Sequence, residues 1–89
     1  MKIIRQTTSF KKDLKKVVKR AKNLNKLYLI VEKLAKGQKL EAKNKEHALI
    51  GNYVGKLECH IEPDWLMIYE VTNELVILYR TGTHADLFR

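Results

Sequence analysis

Leu57-Glu58-Cys59-His60-Ile61-Glu62-Pro63-Asp64-Trp65-Leu66-Met67-Ile68-Tyr69-Glu70-Val71 is the stretch whose reading decides the fold. Its first six residues alternate. Leu57, Cys59 and Ile61 fall on one side and Glu58, His60 and Glu62 on the other, the period of a strand with one apolar and one ionisable face. Pro63-Asp64 marks a turn, and Trp65 to Val71, rich in aromatic and branched residues, reads as a second strand. Thr72-Asn73 turns the chain again and Leu75 to Arg80 makes a third strand, after which Thr81-Gly82-Thr83-His84 is expected to leave the sheet. An antiparallel meander can keep one side wet. Here that side would present Glu58, His60 and Glu62.

Upstream, the period changes from two to 3.6. Phe10, Leu14, Val17, Val18 and Ala21 recur at helical spacing behind a Thr-Thr-Ser cap, while Lys11, Lys12, Lys15, Lys16, Lys19, Arg20 and Lys22 fill the other face. Asn23 or Asn25 can cap a second helix with Leu27, Ile30, Val31 and Leu34 as its buried stripe and Gly37 as a left-handed stop. Lys2 to Thr7 can form a first strand. Residues 38–52 show no sustained period and are expected to be the longest irregular connection. The order β-α-α-β-β-β predicts an α+β fold, a helical hairpin packed on one face of a small, mainly antiparallel sheet.

The 89 residues fit one domain, residues 1–89. With one cysteine, Cys59, no internal disulfide or multi-cysteine zinc site is available, and a reducing cytoplasm suits the chain. No run is apolar enough for a signal peptide or a membrane helix, so a soluble intracellular protein is expected, without a membrane partner. Charge is more informative. Residues 1–45 hold fifteen Lys or Arg against three acids and residues 46–89 three against seven, so the halves carry +12 and −4 of the net +8. Such segregation implies a positive surface for a polyanion or an acidic partner.

All three histidines lie in the second half: His47 in the long connection, His60 on the ionisable strand face, His84 after the last strand. They can converge over one end of the sheet. Cutting RNA by attack of the 2′-OH on its phosphate needs a base, an acid and a cation for the phosphorane; imidazole serves either proton-transfer role near neutral pH. Arg80 can hold phosphate oxygens, or pair with Glu58 or Glu62. Trp65 and Phe88 can stack on unpaired bases, or pack in the core and anchor the tail. No HxH or HExxH spacing is present, so a metal site would need His47, His60 and His84 with Asp64. Acid–base catalysis fits without a metal, and no cofactor is expected.

His-Ala-Leu-Ile-Gly-Asn-Tyr from His47, Glu-Cys-His-Ile-Glu-Pro-Asp-Trp from Glu58 and Arg-Thr-Gly-Thr-His-Ala-Asp-Leu-Phe from Arg80 together resemble the YafQ branch of the RelE-like toxins. The likeness runs from the first strand to Phe88. It implies the toxic half of a bacterial type II toxin-antitoxin pair, a ribosome-dependent mRNA endonuclease. On that resemblance the site residues are His47, His60, Asp64, Arg80, His84 and Phe88, with Glu58 and Trp65 at matching positions. His47 and His84 would be base and acid, Arg80 the phosphate clamp, and His60 with Asp64 positioning or contact groups. The helix cations Lys11, Lys12, Lys15, Lys16, Lys19, Arg20 and Lys22 would dock on ribosomal RNA. The antitoxin should be acidic, and operator DNA should be reached through it. The alternative is a basic nucleic-acid or ribosome-binding module of the same fold with structural histidines and no activity.

Overall fold

A computed structural model describes residues 1–88. The chain runs β1 (Ile3–Gln6), α1 (Thr8–Lys19), α2 (Leu24–Ala35), β2 (His47–Ala48), β3 (Leu57–Glu62), β4 (Trp65–Val71), β5 (Leu75–Gly82) and α3 (His84–Leu87), with 3-10 turns at Ala42–Asn44 and Gly51–Tyr53. No described helix is long and apolar enough to cross a membrane.

The Thr7 hydroxyl accepts the Phe10 N–H at 3.0 Å, so α1 starts there. The same hydroxyl donates to the Tyr79 carbonyl at 2.9 Å, which ties the helix start to β5. α1 ends where Ala21 turns into the left-handed region at φ 58°, allowing Lys22 N–H to reach the Val17 carbonyl. Asn23 caps α2 through the Asn25 N–H, and Gly37 at φ 72° closes it. Phe10 and Val17 of α1 meet Leu27, Ile30, Val31 and Leu34 of α2 over Cys59, Trp65, Met67, Tyr69, Val76 and Leu78 of the sheet. Each large side chain in this layer contributes about 1.5–3 kcal/mol by leaving water.

The sheet order is β1-β5-β4-β3-β2, with β1 parallel to β5 and every other pair antiparallel. The expected hairpin-on-sheet architecture is present, with three differences. First, residues 38–52 carry the 3-10 turn at Ala42–Asn44, β2, whose His47 pairs with Glu58, and the start of the turn at Gly51–Tyr53. Second, β5 continues through Gly82, because Thr81 and Gly82 keep pairing with Met67 and Leu66. Third, the face away from the helices is not open. Leu66 and Ile68 are fully buried there beneath Leu49, Tyr53, Tyr79 and Leu87. β4 is central, so an unbroken run such as Trp65 to Tyr69 has both sides covered.

That covered face carries the histidines. Residues paired across strands share a face. Glu58 pairs with Ile68 and Ile68 with Arg80; one step along, His60 pairs with Leu66 and Leu66 with Gly82. Pairing skips Tyr79, a bulge that returns Arg80 to the face of Ile68. With strands about 4.8 Å apart, Glu58 and Arg80 stand roughly 10 Å from each other across the Ile68 row.

Candidate active site

The three imidazoles gather at this end of the sheet. The His47 and His60 ring centres are 6.5 Å apart and those of His60 and His84 are 5.8 Å apart. Each arrives differently: His47 on β2, the short strand that closes the long connection; His60 on β3; His84 on the first residue of α3.

All three rings are held by the same nitrogen. Nδ1 of His47 lies 2.8 Å from the Lys45 carbonyl, Nδ1 of His60 3.2 Å from the Pro63 carbonyl, and Nδ1 of His84 2.8 Å from Asp64 Oδ1. A carbonyl or carboxylate oxygen accepts, so Nδ1 carries a proton in each ring; Nε2 of His84 has no hydrogen-bond partner among the described residues, whereas Nε2 of the other two rings faces Glu58. Nε2 of His47 is 3.2 Å from Glu58 Oε1 and Nε2 of His60 is 3.9 Å from the same atom. The side chain of Glu58 is only 5% exposed, and its Oε2 is a buried oxygen without a hydrogen-bond partner. Glu58 therefore does not lie on an open polar face. It sits beneath the histidines and meets His47, so direct contact with substrate is not its place.

Asp64 also accepts the His84 backbone N–H at 3.0 Å. This bond and the one from the ring hold its carboxyl below the usual carboxylate range. α3 is fixed by a capping box between Thr83 and Asp86, and Arg20 grips Asp86 from α1 at 2.6 and 3.2 Å. Gly82 is required beside it: a Cβ there would come within 2.7 Å of Asp86 Oδ2.

Arg80 does not pair with Glu58 or Glu62. Its Nε and Nη2 donate to Asp13 at 2.6 and 3.2 Å, and Asp13 accepts the Thr81 N–H as well, at 3.1 Å. β1 ends at Gln6, opposite Leu78, and leaves the Thr81 N–H without a strand neighbour; α1 supplies the carboxylate instead. Two N–H groups on Nη1 and one on Nη2 remain for an incoming anion. Glu62 is taken by Lys22 at 2.9 Å and Lys26 at 2.8 Å.

Trp65 is 1% exposed, its indole N–H donating to the Thr81 hydroxyl at 3.0 Å on the helix side of the sheet. It has no face to offer a base, and the stacking role expected for it is withdrawn. Phe88 is 46% exposed, edge-on to Tyr53 at 6.1 Å and 6.3 Å from the His84 ring. Of the helix cations, Arg20 and Lys22 are engaged in these ion pairs, whereas Lys11, Lys12, Lys15, Lys16 and Lys19 form none among the described residues. Reading from sequence missed Asp13. The signal was there: a carboxylate spaced with Phe10 and Val17 lies on the buried stripe of a lysine helix, and a buried carboxylate requires a cation. No group of three or more His, Cys, Asp or Glu among the described residues is arranged to hold a metal ion.

Residues 2–89 match the family model described as the bacterial toxin of type II toxin-antitoxin systems, YafQ. The mRNA interferase toxin YafQ of Escherichia coli K12 is 42% identical over 86 residues, which are 96% of this chain and 94% of that protein. The crystal structure of YafQ from E. coli BL21(DE3) superposes with a TM-score of 0.93 at 38% identity over all of both chains. The toxin of the E. coli DinJ-YafQ toxin-antitoxin complex does so with a TM-score of 0.91 at 39% identity, over 99% of this chain and 98% of that one. A match of this extent, in sequence and in backbone, places the chain in the YafQ family of bacterial type II toxins.

Proposed function

We propose that the chain is a ribosome-dependent mRNA endoribonuclease of the bacterial cytoplasm, its single domain inhibiting translation by cutting message until an antitoxin covers it. The observation that carries this reading is the gathering of three imidazoles, ring centres 6.5 and 5.8 Å apart in succession, each anchored through Nδ1. A merely structural histidine has no need of such uniformity.

In this mechanism the Nε2 of His47 removes the 2′-OH proton, and Glu58 Oε1 stabilises the imidazolium that forms. The 2′ oxygen bonds to phosphorus. As the bond from phosphorus to the 5′ oxygen breaks, His84 donates its Nε2 proton to the departing oxygen. Asp64 stabilises the cationic form of His84 that has this proton to give. The products are a 2′,3′-cyclic phosphate and a 5′-OH. The free N–H groups of Arg80 face the phosphorane charge, His60 stands between the two proton-transfer rings, and Phe88 offers its exposed ring to a base. No step requires a metal. The unpaired lysines of α1 dock on ribosomal RNA. The related toxin in the DinJ-YafQ structure is held by an antitoxin; here an acidic partner suits the +12 half, and operator DNA is met through that partner.

The test expresses wild type and His84→Ala in cells and maps the 5′ ends of transcripts. Wild type should yield in-frame ends in ribosome-bound message that the variant does not. Equal toxicity with intact message from both would show a non-enzymatic binding module instead.

A further inference from the structure

We infer that the groove between α2 and β3 is a track for the ribose-phosphate backbone of the RNA beside the cleaved bond. This rests on the RNA-cleaving reading above. Lys26 and Lys33 of α2 line one wall, and Lys43 and Lys45, from the segment that leads into β2, line the other; the floor is apolar, with Ile30 and Ile61. At one end the lining includes His60 and Pro63, whose carbonyl anchors the His60 ring, so the groove reaches the strand edge that carries that imidazole.

Four lysines face two carboxylates there, Glu41 and Glu62. Glu41 is shared by Lys43 at 3.2 Å and Lys33 at 3.7 Å, all three exposed by more than a third, and such pairs exchange readily for a phosphate. Lys45 has no ion pair among the described residues. The lining includes no aromatic ring besides the His60 imidazole, so the groove has no stacking platform for a base and should grip the backbone irrespective of sequence.

The segment that brings these lysines also holds the imidazoles. Asn44, 6% exposed, donates its amide N–H to the His60 carbonyl at 2.8 Å, and the Lys45 carbonyl accepts from His47 Nδ1. The groove segment is thus tied by hydrogen bonds to two of the three histidines, His47 and His60. That continuity favours RNA over an acidic protein segment, which would need no register with the rings.

The experiment measures binding of a short RNA with 2′-O-methyl groups throughout, which cannot supply the attacking hydroxyl, by fluorescence anisotropy over a salt series. Lys43→Gln/Lys45→Asn is compared with the charge-matched Lys36→Gln/Lys39→Gln, two exposed lysines outside both the groove and α1; asparagine tolerates the left-handed backbone at position 45. The groove variant should bind about tenfold more weakly at low salt, with a log–log salt slope about 1.4 shallower for two lost phosphate contacts. The Lys36→Gln/Lys39→Gln control should lose much less, and oligo-U and oligo-A should bind alike. Equal losses in both variants would reduce the effect to net charge and overturn the proposal. So would a groove variant that keeps its RNA affinity but no longer binds an acidic antitoxin. Ribosome-dependent cleavage by wild type is scored separately: its absence with groove binding intact would sink the nuclease reading and leave the groove.

Discussion

Asp13→Asn isolates the support of Arg80 from Arg80 itself. Asp13 is 6% exposed and accepts two N–H bonds from Arg80 and one from the Thr81 backbone. Removing one partner of a fully buried ion pair costs about 3–5 kcal/mol. Here the Arg80 side chain is 27% exposed and regains some water, and asparagine keeps one acceptor oxygen, so about 2–3 kcal/mol is expected. A chain of 89 residues has roughly 5–13 kcal/mol of stability in all, so the variant should still fold. Its Tm should fall by about 10–20 °C. Urea unfolding followed by circular dichroism measures the loss. A double-mutant cycle with Arg80→Gln should show coupling of about 1.5 kcal/mol or more, because the two changes break the same contact. At a temperature where it is folded, Asp13→Asn should also cut message more slowly, the guanidinium no longer being held. A loss under about 0.5 kcal/mol, or strictly additive single changes, would show that the Asp13–Arg80 geometry contributes nothing.

Three further outcomes follow from local geometry. Ala21→Gly should stabilise the protein by roughly 0.5–1 kcal/mol, since Ala21 holds a left-handed φ of 58° that glycine adopts without strain; a lower Tm would contradict this. Burial pushes the Cys59 thiol up to about 12, so a thiol reagent at pH 8 should label it only as fast as the protein opens, and rapid stoichiometric labelling would refute its burial. Asp86 is held below the usual carboxylate range by Arg20 and the Thr83 N–H, and Asp64 by His84. A depressed carboxyl lends stability that is complete above its unfolded value near 3.9 and is lost as pH falls through the folded value. The protection factors of the Thr83 and His84 amides, from NMR exchange rates divided by the intrinsic rate at each pH, should therefore stay constant from pH 7 to about 5 and fall in more acid solution. Release of α3 between pH 7 and 6 would assign the anchoring to histidine titration instead.

Legibility followed the range of the forces. α1, α2 and β3 to β5 were readable because periodicity and turn residues act over a few positions, and the Thr7, Asn23 and Gly37 caps lie where their residue types indicate. β2 was not readable: a two-residue strand has no period, and His47 is placed by its pairing with Glu58 and by the Lys45 carbonyl. Alternation along β3 correctly separated Cys59 from Glu58 and His60, but could not reveal that Leu49, Tyr53 and Leu87 cover the second face. Burial of Glu58 depends on that cover. The partner of Arg80 was out of reach for the same reason, since Asp13 lies 67 residues away in the chain. Convergence of His47, His60 and His84 was expected from the meander, whereas their shared Nδ1 anchoring required coordinates.

The two halves of the chain are less separate in space than in charge. The basic half was expected to bind and the other to carry the chemistry, yet Asp13 of α1 holds Arg80, Arg20 holds the helix that begins at His84, and Lys22 and Lys26 hold Glu62 beside the His60 strand. These contacts differ in their sensitivity to salt. The Asp13 carboxylate is buried and little screened, whereas Arg20 and Lys26 are exposed and their pairs weaken as salt rises. Under the proposed function salt acts on activity by two routes, loss of the proposed RNA contacts along α1 and loosening of α3. The capping box that fixes Thr83 to Asp86 does not depend on Arg20, so His84 should keep its place at moderate salt, and the early fall in activity should come from the α1 lysines that have no ion pair among the described residues.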